Sequence, residues 1–126
     1  MLLPDFYHII QLKQSANVLS AEIRLNPDHE VYKGHFPQQA IVPGVIQLQI
    51  VKELLEQTLV ENLFLTEVTL AKYLAMITPD ENPELQIEIE WSGSEAGVYQ
   101  INATISKNDV VFTKLKAKLS KSGIQY

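Results

Sequence analysis

Apolar and polar residues alternate with a period of two over four stretches of this chain. In the first, Leu19, Ala21, Ile23 and Leu25 share one face, with Ser20, Glu22 and Arg24 on the other. That is the pattern of a half-buried strand over 17–25. Leu85, Ile87, Ile89 and Trp91 alternate with Glu84, Gln86, Glu88 and Glu90 in the second. Tyr99, Ile101, Ala103 and Ile105 mark one face of the third. In the fourth, Val111, Thr113, Leu115, Ala117 and Leu119 alternate with Phe112, Lys114, Lys116 and Lys118. Residues 5–13 read as a first strand or extended lead-in, and 63–74, rich in Thr, Val, Leu and Tyr, as another strand. Turn residues punctuate the series at Asn26-Pro27-Asp28, Thr78 to Pro83, Ser92 to Gly97 and Lys107-Asn108-Asp109.

One segment has helical spacing instead. From Val45 to about Val60, Leu48, Val51, Leu55, Thr58 and Leu59 fall on one side with Leu54 nearby, and Gln49, Lys52, Glu53 and Glu56 share an opposite arc. The expectation is a largely buried helix with one solvated polar stripe. The sum is an α+β domain over 1–126: a bent antiparallel sheet of five or six strands wrapped around one long central helix, about 44–60. Outward glutamates of one strand and outward lysines of another could pair across the sheet. An open sheet edge in so small a domain favours pairing with a second copy.

Composition narrows the function classes. The 126 residues are 46% apolar and 20% charged, ordinary for a globular domain. No apolar run reaches the roughly 18 residues of a membrane span. The opening MLLPDFYHII has no basic region before its apolar residues, so it does not read as a signal peptide. Cysteine is absent, which removes disulfides and thiol chemistry and is compatible with a cytoplasmic protein. A net charge of −5 argues against nonspecific nucleic-acid binding. His8 has no second ligand at metal spacing and reads as structural; His29, in Asp28-His29-Glu30, reads as part of an exposed turn. Lys33, Lys52 and Lys72 read as scattered surface lysines. No metal, cofactor or membrane partner is expected.

The candidate chemistry lies in Gly34-His35-Phe36-Pro37 through Pro43-Gly44-Val45, immediately before the helix. Pro37 and Pro43 stiffen the loop and remove two N–H donors. Gly44 allows a sharp turn or a close approach to a ligand. The helix begins with N–H groups that have no acceptor within it. A histidine beside such a start is an arrangement suited to proton transfer; a Pro/Gly loop with a surface histidine is the plain alternative.

His-Phe-Pro followed by Pro-Gly-Val at this separation closely resembles the active-site loop of the 3-hydroxyacyl-acyl-carrier-protein dehydratases of the hot-dog fold. The order of elements is also similar, while the motif itself is specific only from about Asp28 to Gln49. The resemblance implies a homodimer with active sites between subunits, and an acyl thioester carried on a phosphopantetheine arm. It implies that His35 takes the proton alpha to the thioester carbonyl, and that the Gly44 N–H hydrogen-bonds the thioester oxygen. It further implies that Phe36, Pro43 and Val45 bind or shape the substrate path.

The chain departs from that family at Gln49, where the family carries the glutamate or aspartate that handles the β-hydroxyl. An amide can hold a hydroxyl but cannot donate a proton as the acid does. Ala40 replaces a family proline, a milder change. Three readings stay open. The first is a dehydratase of fatty-acid or polyketide-like synthesis, working on a carrier-protein or CoA thioester, with Glu53 as the nearest alternative acid; the plain reading of Glu53 is a solvated residue of the polar stripe. The second is a noncatalytic thioester-binding subunit, or one that pairs as a heterodimer with an intact dehydratase. The third is an acyl thioesterase using His35 and Gln49.

Overall fold

The computed structural model describes residues 4–34, 40–93 and 96–121. His35, Phe36 and the tail after Lys121 lie outside the described residues.

Among the described residues, six strands and one long helix form in the expected order: β1 (Tyr7–Ser15), β2 (Val18–Leu25), α1 (Gly44–Leu59), β3 (Phe64–Tyr73), β4 (Glu84–Ser92), β5 (Val98–Lys107) and β6 (Val110–Ser120). A 3-10 turn over Glu30–Gly34 sits in the connection that showed no periodicity. All six strands join one sheet in the order β1-β2-β4-β5-β6-β3, each pair antiparallel. The inward residues of β2, β4 and β5 named by the alternation are buried, from Leu19 to Ile105. They close over Ile50, Val51, Leu54 and Leu55 of α1 as one hydrophobic cluster. Burial of these branched aliphatic chains, each contributing about 1.5–3 kcal/mol, is the main force holding helix to sheet.

The ends of α1 are set by different means. Pro43 precedes the helix with extended geometry, and its carbonyl accepts the N–H groups of Ile46 and Gln47, both at 3.1 Å. At the far end Val60 adopts the left-handed conformation, φ 56°, and its N–H closes on the Glu56 carbonyl. The Glu56 carboxylate accepts the Leu63 N–H at 2.8 Å and the Lys52 ammonium at 3.3 Å, tying the helix end to the start of β3.

Four expectations need correction. The buried face of α1 carries Gln47, Ile50, Val51, Glu53, Leu54 and Leu55, whereas Leu48, Thr58 and Leu59 are half-exposed. Glu53 is therefore a buried residue, not part of a solvated stripe. Phe112 is buried rather than outward, because the β5–β6 register shifts between Ile105 and Ser106. This bulge lets Phe112 and Thr113 both turn inward. The glutamates of β4 do not face the lysines of β6, because β5 lies between them; instead Glu84 pairs with Arg24 at 3.0 Å and with Lys107 at 3.8 Å. His29 is half-buried and packs edge-on against Phe6, its Nδ1 accepting the Val31 N–H at 3.1 Å and its Nε2 lying 3.0 Å from the Pro4 carbonyl. That pairing selects the Nε2–H tautomer and ties the 3-10 turn to the strand lead-in. His8, by contrast, is exposed on β1.

Candidate active site

The start of α1 is held by a polar staple that the sequence pattern did not single out. The Val42 N–H donates to the Ile77 carbonyl at 2.9 Å. The buried Gln47 donates Nε2 to the Val42 carbonyl at 3.1 Å, and its Oε1 accepts the buried Thr113 hydroxyl. These bonds fix Pro43 and Gly44 against β6 and the segment after β3. Gly44 and Val45 are the first two residues of the helix, and neither N–H has an acceptor within it.

Gly44 also lies under the ring of Tyr73, the last residue of β3. A methyl group at Gly44 would stand 2.6 Å from both Cζ and the hydroxyl oxygen of Tyr73. Glycine lets the Tyr73 ring tip rest here by proximity rather than by an unusual backbone angle, and any larger residue would have to displace that ring. Burial against this junction raises the Tyr73 pKa above the ordinary tyrosine value.

One turn into the helix, Gln49 donates Nε2 to Glu53 Oε2 at 3.0 Å. The Tyr7 hydroxyl donates to Glu53 Oε1, also at 3.0 Å. Glu53 is only 5% exposed and Tyr7 only 6%. Desolvation raises the Tyr7 pKa most, with the Glu53 charge and hydrogen bond adding to it, so Tyr7 remains a donor. Beside Gln49, a cleft of about 100 Å³ opens between α1 and the sheet, lined by Val45, Leu48, Gln49, Lys52, Leu65 and Ile101 among others. Its walls are mainly apolar and Gln49 supplies a polar group. Val45, 72% exposed, marks its solvent side.

Of the residues expected at the site, Gly44, Val45 and Gln49 lie on the first half of α1 and Glu53 one turn after Gln49, with Pro43 immediately before the helix. His35 and Phe36 lie outside the described residues. Sequence reasoning missed Tyr7, whose partner is far away in the chain, and Gln47, which sits among apolar helix residues. A larger hollow of about 360 Å³ lies on the polar face of β1, β2, β4 and β5 between residues such as Lys13, Glu22 and Glu88. It lacks any helix residue, and solvated side chains on a twisted sheet account for it. Among the described residues, no cluster of three or more His, Asp or Glu side chains could hold a metal. Among them, too, no helix is long and apolar enough to cross a membrane.

A bent six-stranded antiparallel sheet around one helix is the hot-dog fold. The chain belongs to the ApeI-like family: the model described as "ApeI dehydratase" matches residues 11–115. Among solved structures, it is similar to a chain of the dehydratase heterocomplex ApeI:P from Xenorhabdus doucetiae, at 21% identity and a TM-score of 0.71, covering 90% of this chain and 96% of that one. A protein from Erwinia carotovora subsp. atroseptica matches at 22% identity and a TM-score of 0.62, over 91% and 92% of the two chains. A sigma28-regulated virulence protein from Campylobacter jejuni shares the fold at only 6% identity, with a TM-score of 0.66 over 95% and 86%. No curated protein matches the chain.

Proposed function

We propose that the protein binds 3-hydroxyacyl thioesters at the start of α1 and, as a dehydratase, eliminates water to give the trans-2-enoyl thioester. The observation that carries this reading is the junction itself. Two helix N–H groups at Gly44 and Val45, a polar pair at Gln49 and Glu53, and an apolar cleft lie together in a chain of a dehydratase family. The thioester oxygen would accept the Gly44 N–H as negative charge builds on it. His35 would remove the proton from the carbon alpha to the carbonyl, and the β-hydroxyl, held by Gln49, would leave as the C2–C3 double bond forms. The departing oxygen needs one proton to become water, and Gln49 has none to give, so the proton that His35 has just taken from the alpha carbon would pass from its imidazolium to that oxygen and return the base to its starting state. Glu53, the carboxyl nearest Gln49 on the helix, accepts hydrogen bonds from Tyr7 and Gln49 and would hold the amide in place. The acyl group would be carried by an acyl carrier protein or CoA in fatty-acid or polyketide-like synthesis. Phe36, Pro43 and Val45 would line its path.

The cleft's small volume is well below the roughly 300–1,000 Å³ of typical ligand sites. We propose that a second copy supplies the missing wall by pairing along β3. That edge strand exposes Phe64, Leu65, Val68 and Tyr73. Antiparallel self-pairing centred between Thr69 and Leu70 would set Glu67 of each copy opposite Lys72 of the other. Light scattering should give a dimer, and Val68→Lys should shift it towards monomer.

A specific observation supports a second reading. The resemblance puts the family's acid at the position of Gln49, which is an amide here, and a structural relative comes from a heterocomplex. The chain would then be a noncatalytic partner of an intact dehydratase. Mass spectrometry of 3-hydroxyacyl- and trans-2-enoyl-carrier protein separates the two. Interconversion by the wild type, abolished in His35→Ala, supports the enzyme. An inert wild type that Gln49→Glu activates supports the partner subunit. Losing a general acid typically costs about 100- to 10,000-fold in rate, so a gain in that range is expected. An inert wild type and an inert Gln49→Glu would reject the dehydratase reading.

A further inference from the structure

Tyr7 stands on an edge strand and Glu53 on the central helix, yet both are buried and they meet. Two donors converge on Glu53: the Tyr7 hydroxyl on Oε1 and the Gln49 amide on Oε2. Both Glu53 oxygens accept in these bonds, and their remaining lone pairs can serve further partners. The Gln49 side chain must therefore turn its NH2 towards Glu53. Turned over, it would set its carbonyl oxygen against Oε2, acceptor against acceptor. With the nitrogen committed inward, the amide oxygen faces away from Glu53, and Gln49 also lines the apolar cleft.

We propose that Tyr7 and Glu53 form a clamp that fixes the Gln49 amide, so that the cleft offers a hydrogen-bond acceptor where a thioester's β-substituent would lie. The site then selects an acyl chain with a β-hydroxyl over one with a β-keto group. A hydroxyl can donate to the Gln49 oxygen. A ketone has no donor and would meet another acceptor. An unclamped glutamine could turn over and accommodate either group, so the discrimination comes from Tyr7 and Glu53 rather than from Gln49 alone. They are positioning residues in this account. The identity of the ligand rests on the acyl-thioester reading above; the orientation of the amide does not.

Two measurements on the full-length protein test it. The first needs no ligand: NMR of the side-chain amides, with the Gln49 pair assigned by its loss in Gln49→Glu. The clamp predicts that the Gln49 NH2 exchanges slowly with solvent, and that Glu53→Gln and Tyr7→Phe each move its resonances and speed its exchange. The second is binding of stable pantetheine analogues bearing 3-hydroxyacyl, 3-oxoacyl or saturated chains. The wild type should prefer the hydroxy analogue to the oxo analogue by about tenfold or more, the worth of one good hydrogen bond. Glu53→Gln should bring that ratio towards one, while affinity for the saturated analogue changes less than about twofold. Tyr7→Phe, the milder change, should lower the ratio part of the way. A ratio unchanged in Glu53→Gln, a wild-type preference for the oxo chain, or Gln49 resonances indifferent to Glu53 would overturn the clamp. If no analogue binds the wild type, the selectivity falls together with the acyl-thioester reading. Binding of the saturated chain without hydroxyl preference rejects the clamp alone.

Discussion

Replacing Tyr7 with phenylalanine removes one hydroxyl and changes little else. In the wild type that hydroxyl donates to a carboxylate at 3.0 Å, with both side chains nearly inaccessible to water. Solvent screening therefore does not discount the interaction as it would on a surface. Hydrogen bonds to a charged group contribute about 1.5–3 kcal/mol, so Tyr7→Phe should destabilise by that amount. For a chain of this size the midpoint of thermal unfolding should fall by roughly 5–12 °C. The same substitution in a Glu53→Leu background removes a hydroxyl that no longer faces a carboxylate. There it should be neutral or slightly stabilising, because a buried donor without a partner costs about 1–3 kcal/mol. Urea denaturation of the four proteins closes the cycle, with an expected coupling of about 1.5–3 kcal/mol. A loss below about 0.5 kcal/mol in the wild type, or equal losses in both backgrounds, would refute the assignment of Tyr7 as a donor to Glu53.

Other outcomes follow from separate parts of the molecule. Val60 is a β-branched residue in the left-handed conformation, 87% exposed; Val60→Gly should stabilise by about 1 kcal/mol in urea denaturation, and a loss would contradict the strain. Gly44→Ala drives a methyl group into Tyr73, so it should displace that ring and change its solvent exposure, read by tyrosine fluorescence or NMR; an unmoved ring would contradict the packing. Leu54→Ala, at the centre of the core, should cost about 2–5 kcal/mol, measured the same way. Burial raises the pKa values of Tyr7 and Tyr32, so the folded state holds their protons more tightly than the unfolded chain does. That stability is complete below about pH 10, the ordinary tyrosine range, and falls as pH rises above it. Urea midpoints followed from pH 8 to 11 should show this loss, and Tyr7→Phe should lessen it.

The sheet was readable because β2, β4 and β5 each bury one face, and a half-buried strand writes its register into a period of two. The same rule failed at Phe112, where a single extra residue reverses the phase and no local signal marks the bulge. On α1 the difficulty was different. A helix apolar over most of its girth gives a polar residue no clear side, so spacing alone puts Glu53 on the solvated arc and does not distinguish Gln47 from its apolar neighbours. Both are buried because distant partners, Tyr7 and Thr113, satisfy them, and those pairings exist only once the sheet has closed. The proline and glycine around position 44 were informative for the opposite reason. Their restrictions are local, so the loop-to-helix junction could be located before its tertiary partners were known.

The central claim is that the start of α1 binds an acyl thioester, and one measurement addresses it directly. A stable 3-hydroxyacyl-pantetheine analogue, titrated into isotope-labelled protein, should shift the backbone amides of Gly44 and Val45 and the side-chain amide of Gln49 together, with one dissociation constant. Shifts confined to the outer face of β1, β2, β4 and β5, or no saturable shifts at all, would contradict it.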